Sequence, residues 1–232
     1  MHHLHHHRIR SGILAGTLAG IVVMAMGVPV AHAAVNCVVG PGVTQTATAV
    51  TGTTGNDTID CGGANPGKTI NGKAGNDTIT GTGFDDTIHG GAGNDTMTAG
   101  VGNDTVTGRR GHDTMTGGVG TDIMTGSRGR DTMTGSAGND RLTGGAGNDT
   151  MTGSPGNDRL NGVAGNDTMN GGIGTDVLNG GVGTDVLKGG DGDDTLRGPS
   201  NDLSVDTLKG GAGSDTCQGP GSDGDTLVAC NP

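Results

Sequence analysis

Residues 90–108 read GGAGNDTMTAGVGNDTVTG. This is one phrase written nearly twice: Asp95 and Asp104 stand nine residues apart, as do Met97 and Val106, and almost everything between is Gly, Asn or Thr. Working outward, the aspartates fall at strict intervals of nine at Asp77, Asp86, Asp95, Asp104, Asp113, Asp122, Asp131, Asp140, Asp149, Asp158, Asp167, Asp176, Asp185 and Asp194. Two residues after each comes an apolar side chain: Ile79, Ile88, Met97, Val106, Met115, Met124, Met133, Leu142, Met151, Leu160, Met169, Leu178, Leu187 and Leu196. The unit is G-[G/S]-x-G-N-D-T-apolar-T. Both ends are looser. GNDTI at 55–59 is a good unit, and Ile70 sits in a decayed one with Lys68 where Asp should be. Downstream, a three-residue insertion precedes Asp206, and GGAGSDTCQ restores the phrase at Asp215.

Each unit divides in two. The Gly/Asn half suits positive φ and tight turning. The T-apolar-T half alternates out, in, out and is β-branched, which predicts a three-residue strand. Two units then make one coil of 18 residues, and the fold class is all-β: a parallel β-roll (β-solenoid) of stacked 18-residue coils. Residues 18 apart lie above one another at about 4.8 Å. One inner row is Ile79, Met97, Met115, Met133, Met151, Met169 and Leu187; the other is Ile88, Val106, Met124, Leu142, Leu160, Leu178 and Leu196. The methionines share these rows with Ile and Leu, so they read as packing residues rather than copper ligands.

Composition sets the physical problem. The 232 residues include 52 Gly, one Phe (Phe84) and no Trp or Tyr, and all 24 acidic residues are Asp. One apolar side chain in nine is a small return for ordering a glycine-rich backbone. Stacking also puts aspartates in columns at about 4.8 Å, where they repel one another. Hard divalent cations between successive aspartates would remove the repulsion and add binding energy that exists only in the coiled state. An all-oxygen donor set of carboxylates and turn carbonyls selects Ca²⁺ over Zn²⁺ or Cu²⁺, and its flexibility suits Ca²⁺ better than Mg²⁺. Two columns of seven aspartates offer six gaps each, so up to about 12 ions in the regular roll.

These units resemble the repeats-in-toxin (RTX) calcium-binding nonapeptide G-G-x-G-x-D-x-U-x. The best copies are GGAGNDTMT at 90–98 and 144–152, GGIGTDVLN at 171–179, GGVGTDVLK at 180–188 and GGDGDDTLR at 189–197. The resemblance covers roughly residues 55–218. It implies a parallel β-roll that folds on binding Ca²⁺, with the 14 in-register aspartates as side-chain ligands and turn glycines such as Gly91, Gly93, Gly145 and Gly147 lending carbonyls. The second position departs from Gly at Thr82, Arg109, Ser127, Ser136, Ser154 and Val163. Arg109, Arg110, Arg128 and Arg130 crowd one edge around Asp113 and Asp131, which predicts a weak or empty site there.

The remaining features place the chain. Residues 1–33 join a polar, basic start to an apolar run ending in AHA, which reads as a secretory signal cut after Ala33. The expected organisation is 1–33 signal, 34–71 N-terminal cap with degenerate repeats, 72–197 roll and 198–232 degenerate repeats and cap. From residue 34 on, 24 Asp face 11 Lys and Arg, a formal charge of −13. Such a chain attracts cations and repels nucleic acid and anionic lipid, and no second apolar run would insert in a membrane. Four cysteines in an exported chain predict two disulfides. Seven coils span about 29 Å, so only Cys37–Cys61 and Cys217–Cys230 join within one chain, as staples on end caps. Other pairings require a dimer. The only histidines outside the leader are His89 and His112, at solvent-facing or turn positions, so no enzyme is expected. One alternative function rests on the T-x-T pairs Thr78/Thr80, Thr96/Thr98, Thr114/Thr116, Thr132/Thr134 and Thr150/Thr152. Their regular spacing would suit recognition of an ordered surface such as ice.

Overall fold

The computed structural model describes residues 36–198, 205–218 and 226–230. The expected leader and its cleavage point lie outside them. Every regular element described is a strand, and the strands form two sheets of eleven. From Ala49–Thr51 on, successive strands alternate between the sheets, so each pair of strands makes one coil. The fold is a parallel β-solenoid of about nine stacked coils of roughly 18 residues.

The register follows the sequence period. In the first sheet Met115 pairs with Met97 on one side and Met133 on the other. In the second, Met124 pairs with Val106 and Leu142. Both apolar rows are buried between the sheets along their whole length. They also run beyond the regular repeats. Ile59 continues the first row below Ile79, Val50 and Ile70 continue the second below Ile88, and Leu208 extends the first above Leu187.

Strand length differs from the expectation. Regular coils contribute six-residue strands, such as Thr114–Val119 and Arg141–Ala146, rather than three. Hydrogen bonding to neighbouring coils does not stop at the second threonine; it continues through the glycines, and it resumes in the turn, as where Gly93 N–H donates to Arg110 O at 2.8 Å. The glycines thus bend the chain while keeping their ladder bonds, so the turn half of each unit is also sheet.

Two glycine positions carry that bend. At the fourth position Gly129 has φ 131°, and a Cβ there would lie 1.6 Å from the Gly111 carbonyl oxygen in the preceding coil. At the second position the residue type moves the backbone. Glycines there adopt φ from 100° at Gly181 to 128° at Gly91 and Gly190, whereas Lys73, Arg109, Ser127, Ser136, Ser154 and Val163 sit between 84° and 91°. A Cβ at Gly145 would meet the Ser127 carbonyl oxygen at 2.2 Å. The residues that carry a real Cβ therefore turn less far.

The ends are built differently. At the N-terminal end Val38–Val39 pairs antiparallel with Thr58–Asp60, and Thr44–Gln45 pairs antiparallel with Ala49–Thr51. These short strands cover what would otherwise be open parallel edges. The Cys37–Cys61 disulfide ties this cover to the first coil, and Cys217–Cys230 ties the last described coils together, in the pairing that spacing anticipates. The final strand, Thr226–Val228, leaves Leu227 half exposed in the row position that is buried elsewhere.

Candidate metal centre

The carboxylates come together in two columns, one along each turn edge of the solenoid. Each aspartate directly precedes a strand, so the stacking of strands stacks the aspartates. One column is Asp77, Asp95, Asp113, Asp131, Asp149, Asp167 and Asp185; the other is Asp86, Asp104, Asp122, Asp140, Asp158, Asp176 and Asp194, and all are buried. Asp57, Asp206 and Asp215 extend these columns and are buried as well. They stand outside the strict interval of nine because turn insertions precede or follow them, and only the flanking GNDTI, SVDTL and GSDTC phrases signal their place.

Within a column every carboxylate is held the same way. The backbone N–H of each aspartate donates to Oδ1 of the aspartate in the next coil: Asp77 to Asp95 at 2.9 Å, Asp95 to Asp113 at 2.8 Å, Asp104 to Asp122 at 2.8 Å. One oxygen is thereby fixed by the scaffold. The other, Oδ2, is buried without a hydrogen-bond partner in Asp77, Asp95, Asp113, Asp131, Asp149 and Asp167, and in Asp104, Asp122, Asp140, Asp158, Asp176 and Asp194. A buried ionised oxygen without a partner is costly, and here it recurs in nearly every coil.

These oxygens face gaps kept open by glycine. A Cβ on Gly117, the first residue of its unit, would lie 2.3 Å from Asp122 Oδ2 and 2.8 Å from the Gly135 carbonyl oxygen of the next coil. At Gly162 the same distances are 2.1 Å to Asp167 Oδ2 and 2.2 Å to Gly180 O. The carbonyls that share a gap with a partnerless oxygen include Gly90 and Gly144, one position before the expected Gly91 and Gly145. The Gly93 and Gly147 carbonyls lie against the fourth-position glycines of the next coil, Gly111 and Gly165. Among the described residues no three His, Cys or Asp side chains gather as a metal-ligating cluster. An ion in these gaps would therefore draw on carboxylates from adjacent coils together with backbone carbonyls. That is a hard, all-oxygen donor set, and it fits Ca²⁺.

Electrostatics points the same way. Burial, opposed in part by the backbone N–H bond and reinforced by neighbouring carboxylates, pushes Asp113 and Asp158 up to about 7. Asp95, Asp104, Asp122, Asp149 and Asp194 rise to about 6, again chiefly through burial. The exposed Arg109, Arg110, Arg128 and Arg130 do not offset this at Asp113, whose charged neighbours are Asp95 and Asp131.

The N-terminal end of each column is closed by the protein itself. Asp86 Oδ2 accepts the Thr82 N–H at 2.5 Å, and its Oδ1 accepts the Thr82 hydroxyl at 3.1 Å. Lys68, in register below it, donates its backbone N–H to Asp86 Oδ1 and its ammonium to the Ala47 carbonyl. Thr53 does the same for Asp57 Oδ2, with its N–H at 2.6 Å and its hydroxyl at 3.1 Å. Threonine at the second position of a unit thus satisfies from within what the other coils leave open.

A family model of the RTX calcium-binding nonapeptide repeat, written as four copies, matches eight segments of this chain, the first seven overlapping in series. They are residues 71–106, 98–133, 116–151, 125–160, 134–169, 152–187, 170–198 and 204–219. The chain belongs to the RTX calcium-binding nonapeptide repeat family. The matched segments take in all 14 in-register aspartates, with Asp206 and Asp215; Asp57 and the antiparallel cap lie outside them. No curated protein matches the chain. In RTX terms the solenoid is a β-roll whose two turn edges carry the repeat's aspartates.

An outer ladder flanks each column, which the sequence period alone does not reveal. Asn76 Oδ1 accepts the Asn94 N–H, Asn94 Oδ1 accepts that of His112, and His112 Nδ1 accepts that of Arg130, each at 2.7–2.8 Å. This assigns the asparagine of N-D-T a bridging role between coils.

The T-x-T rows are present but uneven. The first threonine of each pair, Thr78, Thr96, Thr114, Thr132 and Thr150, is exposed. Of the second threonines only Thr98 is exposed; Thr80, Thr116, Thr134 and Thr152 are half-buried. Thr98 stands in register between Thr80 and Thr116, so the second row is not a uniform array of accessible side chains. Both rows then give way to Asn170, Val186 and Lys188 above. The expected surface-recognition set is thereby reduced to one exposed row with Thr98 beside it, and ice recognition gains no support beyond what any threonine-rich strand supplies.

Proposed function

We propose that this chain is a secreted calcium-binding β-roll that folds on taking up Ca²⁺ between successive column aspartates, and that it serves as a structural or cell-surface rod. The observation that carries this reading is the repeated, buried, partnerless Oδ2 beside a glycine-lined gap and a carbonyl of the next coil. Bound Ca²⁺ would supply positive charge where the carboxylates otherwise repel. The protein's own part is to fix Oδ1 with a backbone amide and to aim Oδ2 into the gap. In the regular roll this gives up to about 12 ions, fewer if the Thr82 contacts displace the ion beside Asp86. His89 and His112 lie on the sheet face and in a turn with no acid or base set apart from the repeat, so the reading is of a structural rod rather than an enzyme. Residues 1–33 act in it as a cleaved export signal, and folding follows export into a calcium-rich medium.

Circular dichroism during a Ca²⁺ titration of the chain from residue 34, with Mg²⁺ as control, tests it. A cooperative gain of sheet signal with Ca²⁺ alone is expected. A full sheet signal and a cooperative melt in excess chelator would overturn it.

A further inference from the structure

The two sheets differ in charge. The eleven strands of the second sheet contain seven Lys or Arg and no acidic residue, whereas those of the first contain two lysines and two aspartates. Five of the seven lie in four consecutive coils: Arg109 and Arg110 in one, then Arg128, Arg141 and Arg159, all exposed. They are stacked like upon like. Arg110 is the direct register partner of Arg128, and Arg141 of Arg159, on strands about 4.8 Å apart. Like charges directly opposite each other destabilise a sheet, and no acidic residue in the described strands of this sheet offsets them.

One open depression forms over the Arg141–Arg159 pair and another beside Arg110. One, of about 180 Å³, is lined by Arg141 and Arg159 with Thr143, Asn161 and Asn179. The other, of about 320 Å³, is lined by Lys73, Arg109 and Arg110. The formal charge of −13 hides this, because 17 of the 24 aspartates are buried in the columns. Leaving out the columns and Lys68, which is buried in register with Asp86, the chain from residue 34 holds ten Lys and Arg against the seven remaining Asp. Once the columns are neutralised, its remaining charge is basic, and the basic residues concentrate on this sheet.

We propose that the outward surface of the second sheet together with its adjoining bend, from Lys73 to Arg159, binds a linear polysaccharide bearing sulfate or carboxylate groups. Guanidinium forks pair bidentately with such anions. Asn161, Asn179 and Thr143 beside them supply amide and hydroxyl groups that can hydrogen-bond sugar hydroxyls. The face has no aromatic side chain on which bases could stack, which sets single-stranded nucleic acid aside. Basic side chains on four consecutive coils make an elongated surface, which suits a chain ligand rather than a compact one. The proposal rests on the calcium-folded roll, since the ladders exist only when the coils are stacked.

The test uses the chain from residue 34 in Ca²⁺, with dextran sulfate as probe and uncharged dextran and oligothymidylate as controls, at about 0.15 M salt. Binding of dextran sulfate alone is expected. R141Q/R159Q and R110Q/R128Q should each weaken it at least tenfold with unchanged circular dichroism, while K188Q/K209Q on the other sheet should leave it within twofold. Absence of dextran sulfate binding by a chain that shows its sheet signal overturns the proposal. So does binding that the arginine variants do not weaken, or equal binding of oligothymidylate through the same arginines. A chain without sheet signal in Ca²⁺ would instead overturn the calcium-folding reading, and the spectrum separates the two failures.

Discussion

The backbone N–H of Asp95 donates to Oδ1 of Asp113 at 2.8 Å, one coil away, while Asp113 Oδ2 is buried with no partner. One carboxylate thus does two jobs. It splices neighbouring coils through one oxygen, and it imposes a buried charge through the other.

Replacing Asp113 by Asn separates these roles. The amide oxygen can still accept the Asp95 N–H, but the charge is gone. In chelator the variant should keep more residual sheet signal than the parent, because repulsion and desolvation are relieved. In saturating Ca²⁺ the order should reverse. Residual sheet signal in chelator and the melting temperature in saturating Ca²⁺ check this; the same sign of change in both would contradict it.

The calcium-free roll should respond to pH in the unusual direction. Column carboxylates such as Asp95, at about 6, and Asp113 and Asp158, at about 7, have folded pKa values above the ordinary 3.8. The folded state then binds protons more tightly than the unfolded chain, so the stability this confers is complete below about pH 4 and is lost as pH rises to about 7. Residual sheet signal in chelator should therefore be greater at pH 5 than at pH 8. Apparent Ca²⁺ affinity should move the other way, falling between pH 7 and pH 5 as protons compete.

The two glycine positions should respond oppositely to substitution. Gly129→Ala places a Cβ against the Gly111 carbonyl at 1.6 Å, in a backbone with φ 131°, and should cost at least about 2 kcal/mol. Val163→Gly removes a β-branched residue from φ 86° and should stabilise by about 1 kcal/mol. Denaturant midpoints in saturating Ca²⁺ report both.

The disulfides should guard the ends and not the middle. Cys37–Cys61 and Cys217–Cys230 close loops with sequence separations of 24 and 13 residues, each worth about 3 kcal/mol in the chain-entropy picture. Reduction in Ca²⁺ should speed amide hydrogen exchange in Val38–Asp60, Thr216–Gln218 and Thr226–Val228 while leaving Thr96–Ala164 protected. Uniform loss of protection along the roll would contradict this.

Much of this architecture is legible in the spacing of Asp and of the apolar residue two places on, because a period of 18 leaves one stacking register. Ile79, Met97 and Met115 could be placed above one another from the sequence alone. Strand length was not legible, since glycines that look like turn residues keep their ladder bonds at Gly93 and Gly111. Nor was the antiparallel cap, where Val38–Val39 and Thr44–Gln45 carry no repeat. The closing role of Thr82 at Asp86 was hidden because it depends on which atom a side chain satisfies. The unequal exposure of Thr98 and Thr116 was hidden too, because identical T-x-T phrases carry no record of what flanks them in space. Asp57 and Asp215 were recognisable phrases, but only register shows that they complete the columns.

Because one coil consists of two units, the parity of any length change decides which surface it disturbs. An added or deleted nonapeptide would transpose every later strand to the opposite sheet and interrupt the run of arginines, whereas a gain or loss of 18 residues lengthens or shortens the rod and preserves its faces. The three extra residues before Asp206 change neither, since Leu187 still pairs with Leu208. The molecule can therefore be tuned in reach by whole coils, like a ruler cut only at alternate marks.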